Sequence, residues 1–176
     1  GHKQAANEKL TAVRTEQSIQ ERLQKAQADQ TQASWLEVRQ LYEQLLSEFP
    51  HDSRRVTWQA QADLAAEEAE LIQLFELAQH HLEKREWEAA RVVLANLTTR
   101  RAGYSAKGQA VSQLSLWAKG EEKAQIAHKA GDWPTSADNY DQLLKDFGEH
   151  PRRQRWQEKR QEAQDKLALE KSLREG

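Results

Sequence analysis

Three tryptophans, Trp35, Trp87 and Trp133, each stand nine residues after the alanine of an Ala-Gln pair, at Ala26-Gln27, Ala78-Gln79 and Ala124-Gln125. This spacing, kept three times, marks one helical unit used three times. Stacked units of that kind bury their apolar faces on one another and offer an extended surface to partners instead of an enclosed cleft.

The first and third copies align without a gap from Trp35 to Trp58 and from Trp133 to Trp156, with nine of 24 positions identical. The shared residues are the opening Trp, Tyr42 and Tyr140, Gln44 to Leu46 and Gln142 to Leu144, Phe49 and Phe147, the pairs Arg54-Arg55 and Arg152-Arg153, and the closing Trp. The middle copy keeps Leu94 and Leu97 at the Tyr and Leu positions but has neither the Phe nor the second Trp.

The 176 residues allow one ordinary domain or a short array. With 38% hydrophobic and 31% charged residues, and Gln, Glu, Ala, Arg and Lys prominent, the composition suits helices with narrow buried stripes. A net charge of −2 gives no global attraction to nucleic acid or to an anionic membrane. No apolar run approaches the ~18 residues that suggest a membrane span. The absence of cysteine removes thiolate chemistry and leaves the compartment open, with the cytoplasm the favoured reading. The absence of methionine makes Gly1-His2 read as a cloning remnant ahead of a single module, 3–176, excised from a longer protein.

Helical periodicity predicts a long polar helix over about 4–30, carrying Leu10, Val13, Ile19, Leu23 and Ala26. A second helix is expected from Ser34, with Glu37 completing a capping box, and ends at Pro50. Asp52 or Ser53 caps the next, which meets no breaker from Arg54 to Glu86; whether it is continuous stays open. A short helix from Trp87 stops at Arg101-Ala102-Gly103, and Tyr104 or Ser105 reopens a helix to Gly131 that Gly120 can bend. Asp132 and Pro134 start a short helix that ends at Phe147-Gly148, and Pro151 starts the last, to about Leu173. The expected fold is all-α: about seven helices, alternately long and short, stacked as hairpins in a solenoid or elongated bundle. The units fall at about 10–50, 51–103 and 104–148, followed by a terminal helix at 151–173, and no strand is expected.

From each Trp the spacing resembles the second helix of a tetratricopeptide repeat. It is carried by Gly131-Asp132-Trp133, Tyr140 and Leu143, by Trp35, Tyr42, Leu45 and Pro50, and by Trp87, Ala90, Leu94 and Leu97. The Trp-to-Trp periods of 52 and 46 residues exceed the ~34 of that repeat. The pattern is more similar to long-period helical repeats with a Gly-Asp-Trp turn in multidomain bacterial signalling proteins. That resemblance implies a scaffold for protein contacts.

No catalytic, cofactor or metal residue set stands out. His80-His81 point about 100° apart on a helix, whereas paired metal ligands on a helix want i, i+4 spacing. His51 and His150 read as turn residues, and no Ser-His-Asp logic follows from their order. Arg54 and Arg152 precede Trp58 and Trp156 by four residues, so each guanidinium is expected to stack on the indole one turn on. Asp52, Glu48, Asp146 and Glu149 are available to pair with them.

Trp35, Trp87 and Trp133 read as core wedges, while Trp58, Trp117 and Trp156 read as exposed anchors. Arg54, Arg55, Trp58, Trp117, Arg152, Arg153 and Trp156 are therefore the candidate contacts for an acidic or amphipathic protein segment. The alternative is an architectural spacer in which the long helices, 4–30 and 54–86, pair like coiled coils, with a homodimer possible. Nucleic-acid binding would need the Arg pairs on one face and a steep salt dependence.

Overall fold

Seven helices, long and short in alternation, form in the computed structural model, which describes residues 1–176. They are α1 (His2–Asp29), α2 (Gln32–Glu48), α3 (Arg55–Lys84), α4 (Trp87–Arg100), α5 (Val111–Lys129), α6 (Trp133–Asp146) and α7 (Arg153–Glu175). The all-α class therefore holds, and the stretch without Gly or Pro between Arg54 and Glu86 is one continuous helix, about 45 Å long at ~1.5 Å per residue.

The breaks follow from local chemistry. Between α1 and α2 Gln30 turns left-handed, at φ 46°, and Thr31 caps α2 by accepting the Ser34 N–H at 3.3 Å. The expected Ser34–Glu37 box does not form, because Thr31 supplies a hydroxyl earlier and Ser34 is drawn inside the helix, where it is buried. Between α5 and α6 Gly131 takes φ 72°, and the Asp132 carboxylate accepts the Thr135 N–H at 3.2 Å ahead of Pro134. At the ends of α2 and α6 the N–H of Phe49 and of Phe147 bonds back at 2.9 Å to Leu45 and Leu143.

One segment departs from expectation. Residues 105–110 form a two-stranded hairpin, Ser105–Ala106 against Gln109–Ala110, and α5 opens only at Val111. Lys107 and Gly108 both have positive φ, 51° and 73°, as a two-residue hairpin turn requires and a helix forbids. Tertiary contacts hold it there: Ala106 is buried, Lys107 Nζ meets Glu76 at 2.6 Å, and Gln79 donates to Gln109 at 2.9 Å.

Each helix packs chiefly on the helices before and after it in the chain. Their inner faces form one contiguous core, from Ile19 on α1 to Trp156 on α7, with Leu71, Ile72 and Phe75 of α3 at its middle. Helix α5 runs without a break through Gly120. A Cβ there would stand 2.8 Å from Leu143 Cδ2, so any larger residue would require the Leu143 side chain to shift. Toward the two ends the packing thins, and residues 1–11 and 164–176 are all exposed.

Candidate functional site

The aligned Arg pairs mark two corners, one between α2 and α3 and one between α6 and α7. Locally the two are alike. Arg54 and Arg152 stand just before their helices with the same backbone, φ −84°, and the side chain two residues earlier accepts their N–H: Asp52 Oδ1 at 2.8 Å and His150 Nδ1 at 3.2 Å.

At the first corner Arg54 is held by Asp52 at 2.8 Å and by Glu16 of α1 at 2.8 Å, and its guanidinium lies 4.9 Å from the Trp58 ring centre. The Trp58 indole N–H donates to the other Glu16 oxygen at 3.1 Å. The guanidinium and N–H of Arg54 together hold the Asp52 carboxyl at about 2, well below the ordinary value. Arg55 donates to the Leu46 carbonyl at 3.0 Å, capping α2.

At the second corner the expected stacking of Arg152 on Trp156 is replaced by another arrangement. Arg152 lies over Trp117 at 5.1 Å, meets both oxygens of Glu121 at 3.0 Å, and donates to the Leu82 carbonyl at the end of α3 at 2.7 Å. His150 takes the place over Trp156, stacked at 4.8 Å and 15°. Burial, and then the Arg152 charge, push the His150 pKa below its ordinary value. Glu121 is only 1% exposed, and Gln125 donates to it at 3.1 Å. Neither Asp146 nor Glu149 takes part. Arg153 is exposed and joins no ion pair.

The tryptophans exchange roles relative to expectation. Trp58, Trp117 and Trp156 are buried, the last at 0% exposure, so they are core residues and not surface anchors. Trp58 meets Glu16 of α1 and Phe49 at the end of α2, and Trp117 and Trp156 meet each other and His150, so residues distant in the chain cover indoles that stand in polar sequence. Arg54 and Arg152 are likewise engaged with internal carboxylates and are not free cations. Trp35 is buried as expected, but Trp87 and Trp133 are only half-buried at helix starts. The Trp133 N–H reaches Glu170 at 2.9 Å.

Free surface chemistry gathers instead along α5. A cleft of about 500 Å³ separates it from α4, floored by Ala90, Leu94 and Ala118 and edged by Trp87, Thr98 and Ser115. Arg91 bridges one side, paired with both Glu88 and Glu122. A second cleft, of about 520 Å³, runs between α5 and α6 beside Leu116, Gly120 and Phe147. The ridge between the two carries Leu116, Lys119, Lys123 and Ile126, all exposed, and neither ammonium has a carboxylate partner. Sequence reasoning missed this ridge. Its signal was the spacing of those four residues on one helical face.

Comparison with protein-family models, with curated proteins and with solved structures finds no match for this chain.

One arrangement imitates a hydrolase. His128 Nδ1 lies 3.2 Å from Ser136 Oγ and its Nε2 lies 3.3 Å from Glu162. Ser136 is fully buried, its hydroxyl also faces the Ala124 carbonyl at 3.4 Å, and neither it nor His128 lines any of the five main clefts. A nucleophile needs an accessible reacting atom beside it, and here a packed helix interface fills that place. The trio ties α5, α6 and α7 together. His80 and His81 do not share a ligand position; His81 pairs with Glu86 at 2.5 Å.

Proposed function

We propose that this chain is a non-catalytic protein-interaction module, tetratricopeptide-like in organisation, that takes up an acidic amphipathic helix along α5. The observation that carries this reading is the ridge of Leu116, Lys119, Lys123 and Ile126 between two clefts, with two unpaired ammonium groups one turn apart. A helix laid across it would insert aliphatic side chains over the small residues of the α4–α5 cleft and set carboxylates on Lys119 and Lys123. This is the helix-in-groove mode of recognition, anchored at i, i+3, i+4 and i+7. The acidic partner expected from the Arg pairs is thus retained, with different residues meeting it.

Panning a random peptide display library on the intact chain tests the reading. The expected winners carry aliphatic residues at helical spacing beside Glu or Asp, and lose binding to a Lys119→Glu, Lys123→Glu, Ala95→Arg variant that keeps its helicity. Winners that bind the variant equally well, or no winners at all, would sink the proposal.

The architectural reading draws on one observation of its own, the protruding ends 1–11 and 164–176. Against it, α3 is fully engaged between α2 and α4, and so is not free to pair as a strut.

A further inference from the structure

Of all helices consecutive in the chain, α4 and α5 touch least. The hairpin at 105–110 does not fill the gap between them, because it is fastened to α3: Tyr104 lies edge-on to Phe75 at 6.4 Å, Lys107 meets Glu76 at 2.6 Å and Gln79 donates to Gln109 at 2.9 Å. The fold therefore divides at Ala110, where the backbone is extended ahead of α5. On one side stand α1 to α4 with the hairpin, and on the other α5 to α7. Only two side-chain hydrogen bonds cross that division, Arg91 on Glu122 and Arg152 on the Leu82 carbonyl. The first is screened by water, since the Arg91 side chain is half exposed. The second, at 2.7 Å, is made by an arginine that is mostly buried.

Arg152 is seated by His150, whose Nδ1 accepts its backbone N–H at 3.2 Å. At the matching position of the first corner an aspartate, Asp52, does this for Arg54, and it stays an acceptor until strong acid. A histidine accepts only while neutral, because an imidazolium carries a proton on both nitrogens. Few charges face the ring. Arg152 does so from the start of α7, and Glu121 of α5 stands behind it with both oxygens on Arg152. The end of α6 supplies only the Phe147 carbonyl, which accepts the His150 N–H at 2.9 Å, and α3 only the Leu82 carbonyl beyond Arg152. Of the two indoles around the ring, Trp117 already has the Arg152 guanidinium over it, at 5.1 Å. Burial and the Arg152 charge hold the His150 pKa below its ordinary 6.5. A proton added there sets two cations before one buried carboxylate and leaves the Arg152 N–H without its acceptor. Turning the corner toward water relieves both, and the contact given up is the neutral one, Arg152 on the Leu82 carbonyl.

We propose that His150 is a proton-operated catch on the joint between α4 and α5. Neutral, it seats Arg152 on the Leu82 carbonyl and holds the two halves together; protonated, it unseats Arg152 and lets them part while each half stays folded. The device belongs to the fold and stands whether or not the α5 ridge takes up a helix.

Because the chain has no cysteine, pairs of spin labels can be placed at will and their separation read by pulsed electron paramagnetic resonance. Val92→Cys on α4 with Lys145→Cys on α6 reports across the joint. Val56→Cys with Val92→Cys, and Ile126→Cys with Lys145→Cys, report within each half, and all four positions are exposed. From about pH 7.5 to about pH 5 the distance across the joint is expected to lengthen and spread while both internal distances stay the same. His150→Asn keeps a neutral acceptor that gains no proton in this range, and His150→Asp copies the cap of the first corner; each is expected to keep the joint closed at both pH values. An unchanged distance across the joint in the chain with His150 overturns the proposal. So does a lengthening that persists in both variants, or one that the internal distances share, which is unfolding and not opening.

Discussion

Arg54 and Arg152 occupy the same place in two aligned segments, with the same backbone and the same kind of cap, yet one corner is open and the other sealed. The Arg54 side chain is 42% exposed and its α1 partner Glu16 33%, whereas Arg152 is 18% exposed and Glu121 1%. At the first corner Arg54 meets only Asp52 and Glu16 of α1, while at the second the end of α3 reaches Arg152 and offers it the Leu82 carbonyl. Local sequence sets the geometry of such a corner; neighbours in the stack set its dielectric, and with it what the ion pair is worth. The indoles show the same split. Trp58 finds Glu16 for its N–H, but the N–H groups of Trp117 and Trp156 are sealed in without an acceptor.

The sharpest break in this comparison is Arg152→Met. It leaves Glu121 buried and unpaired, which should cost about 3–5 kcal/mol in urea unfolding, and adding Glu121→Leu should recover most of the loss. A single mutant within about 1 kcal/mol of the parent would mean that the second corner is as wet as the first.

A pH series sharpens the contrast at intermediate scale. The folded-state pKa of His150 lies below its ordinary 6.5, so the unfolded chain binds the extra proton first. Stability should be full above about pH 6.5 and fall as pH drops below it toward the folded value. His150→Phe should flatten that slope; a parent chain equally stable at pH 5 and 7.5 would refute the assignment. The first corner should respond only in stronger acid. The Asp52 contribution is present above its ordinary 3.8 and is lost as pH falls toward about 2.

The smallest effect is expected from Arg54→Met, about 0–1 kcal/mol and further reduced by salt. An effect as large as that of Arg152→Met would erase the distinction between the corners.

Much of this architecture was legible in the residues. The Gly, Pro and Trp punctuation located seven helices, and the absence of any breaker from Arg54 to Glu86 allowed the long α3 without deciding that it is continuous. The hairpin at 105–110 was not legible. Strands of two residues carry no periodicity, and the partners of Lys107 in its turn, Gln30 and Glu76, are far away in the chain.

Candidate contacts fared differently, because polarity of the surrounding sequence was taken as a sign of exposure. Trp58 and Trp156 sit among polar residues, but Thr57, Gln59, Arg155 and Gln157 are exposed while the indoles are buried. Glu121 did leave one trace. It continues the α5 buried stripe of Leu114, Trp117 and Ala124, a place where a carboxylate requires a buried cation.

Continuous α3 also decides where this molecule can bend. A helix of about 45 Å with unbroken backbone bonding, gripped by α2 over its first half and α4 over its second, offers no hinge at the middle of the particle. Compliance belongs to the segments where the chain leaves helical geometry, above all 101–110, where α4 and α5 touch least; two others are the corners at 49–54 and 147–152. One of these is riveted by Arg152 to the far end of α3 and the other is fastened only by solvated charges. A load pulling on the two ends would therefore part α4 from α5 first, leaving α1 to α4 and α5 to α7 as two blocks linked by Arg152 on the Leu82 carbonyl.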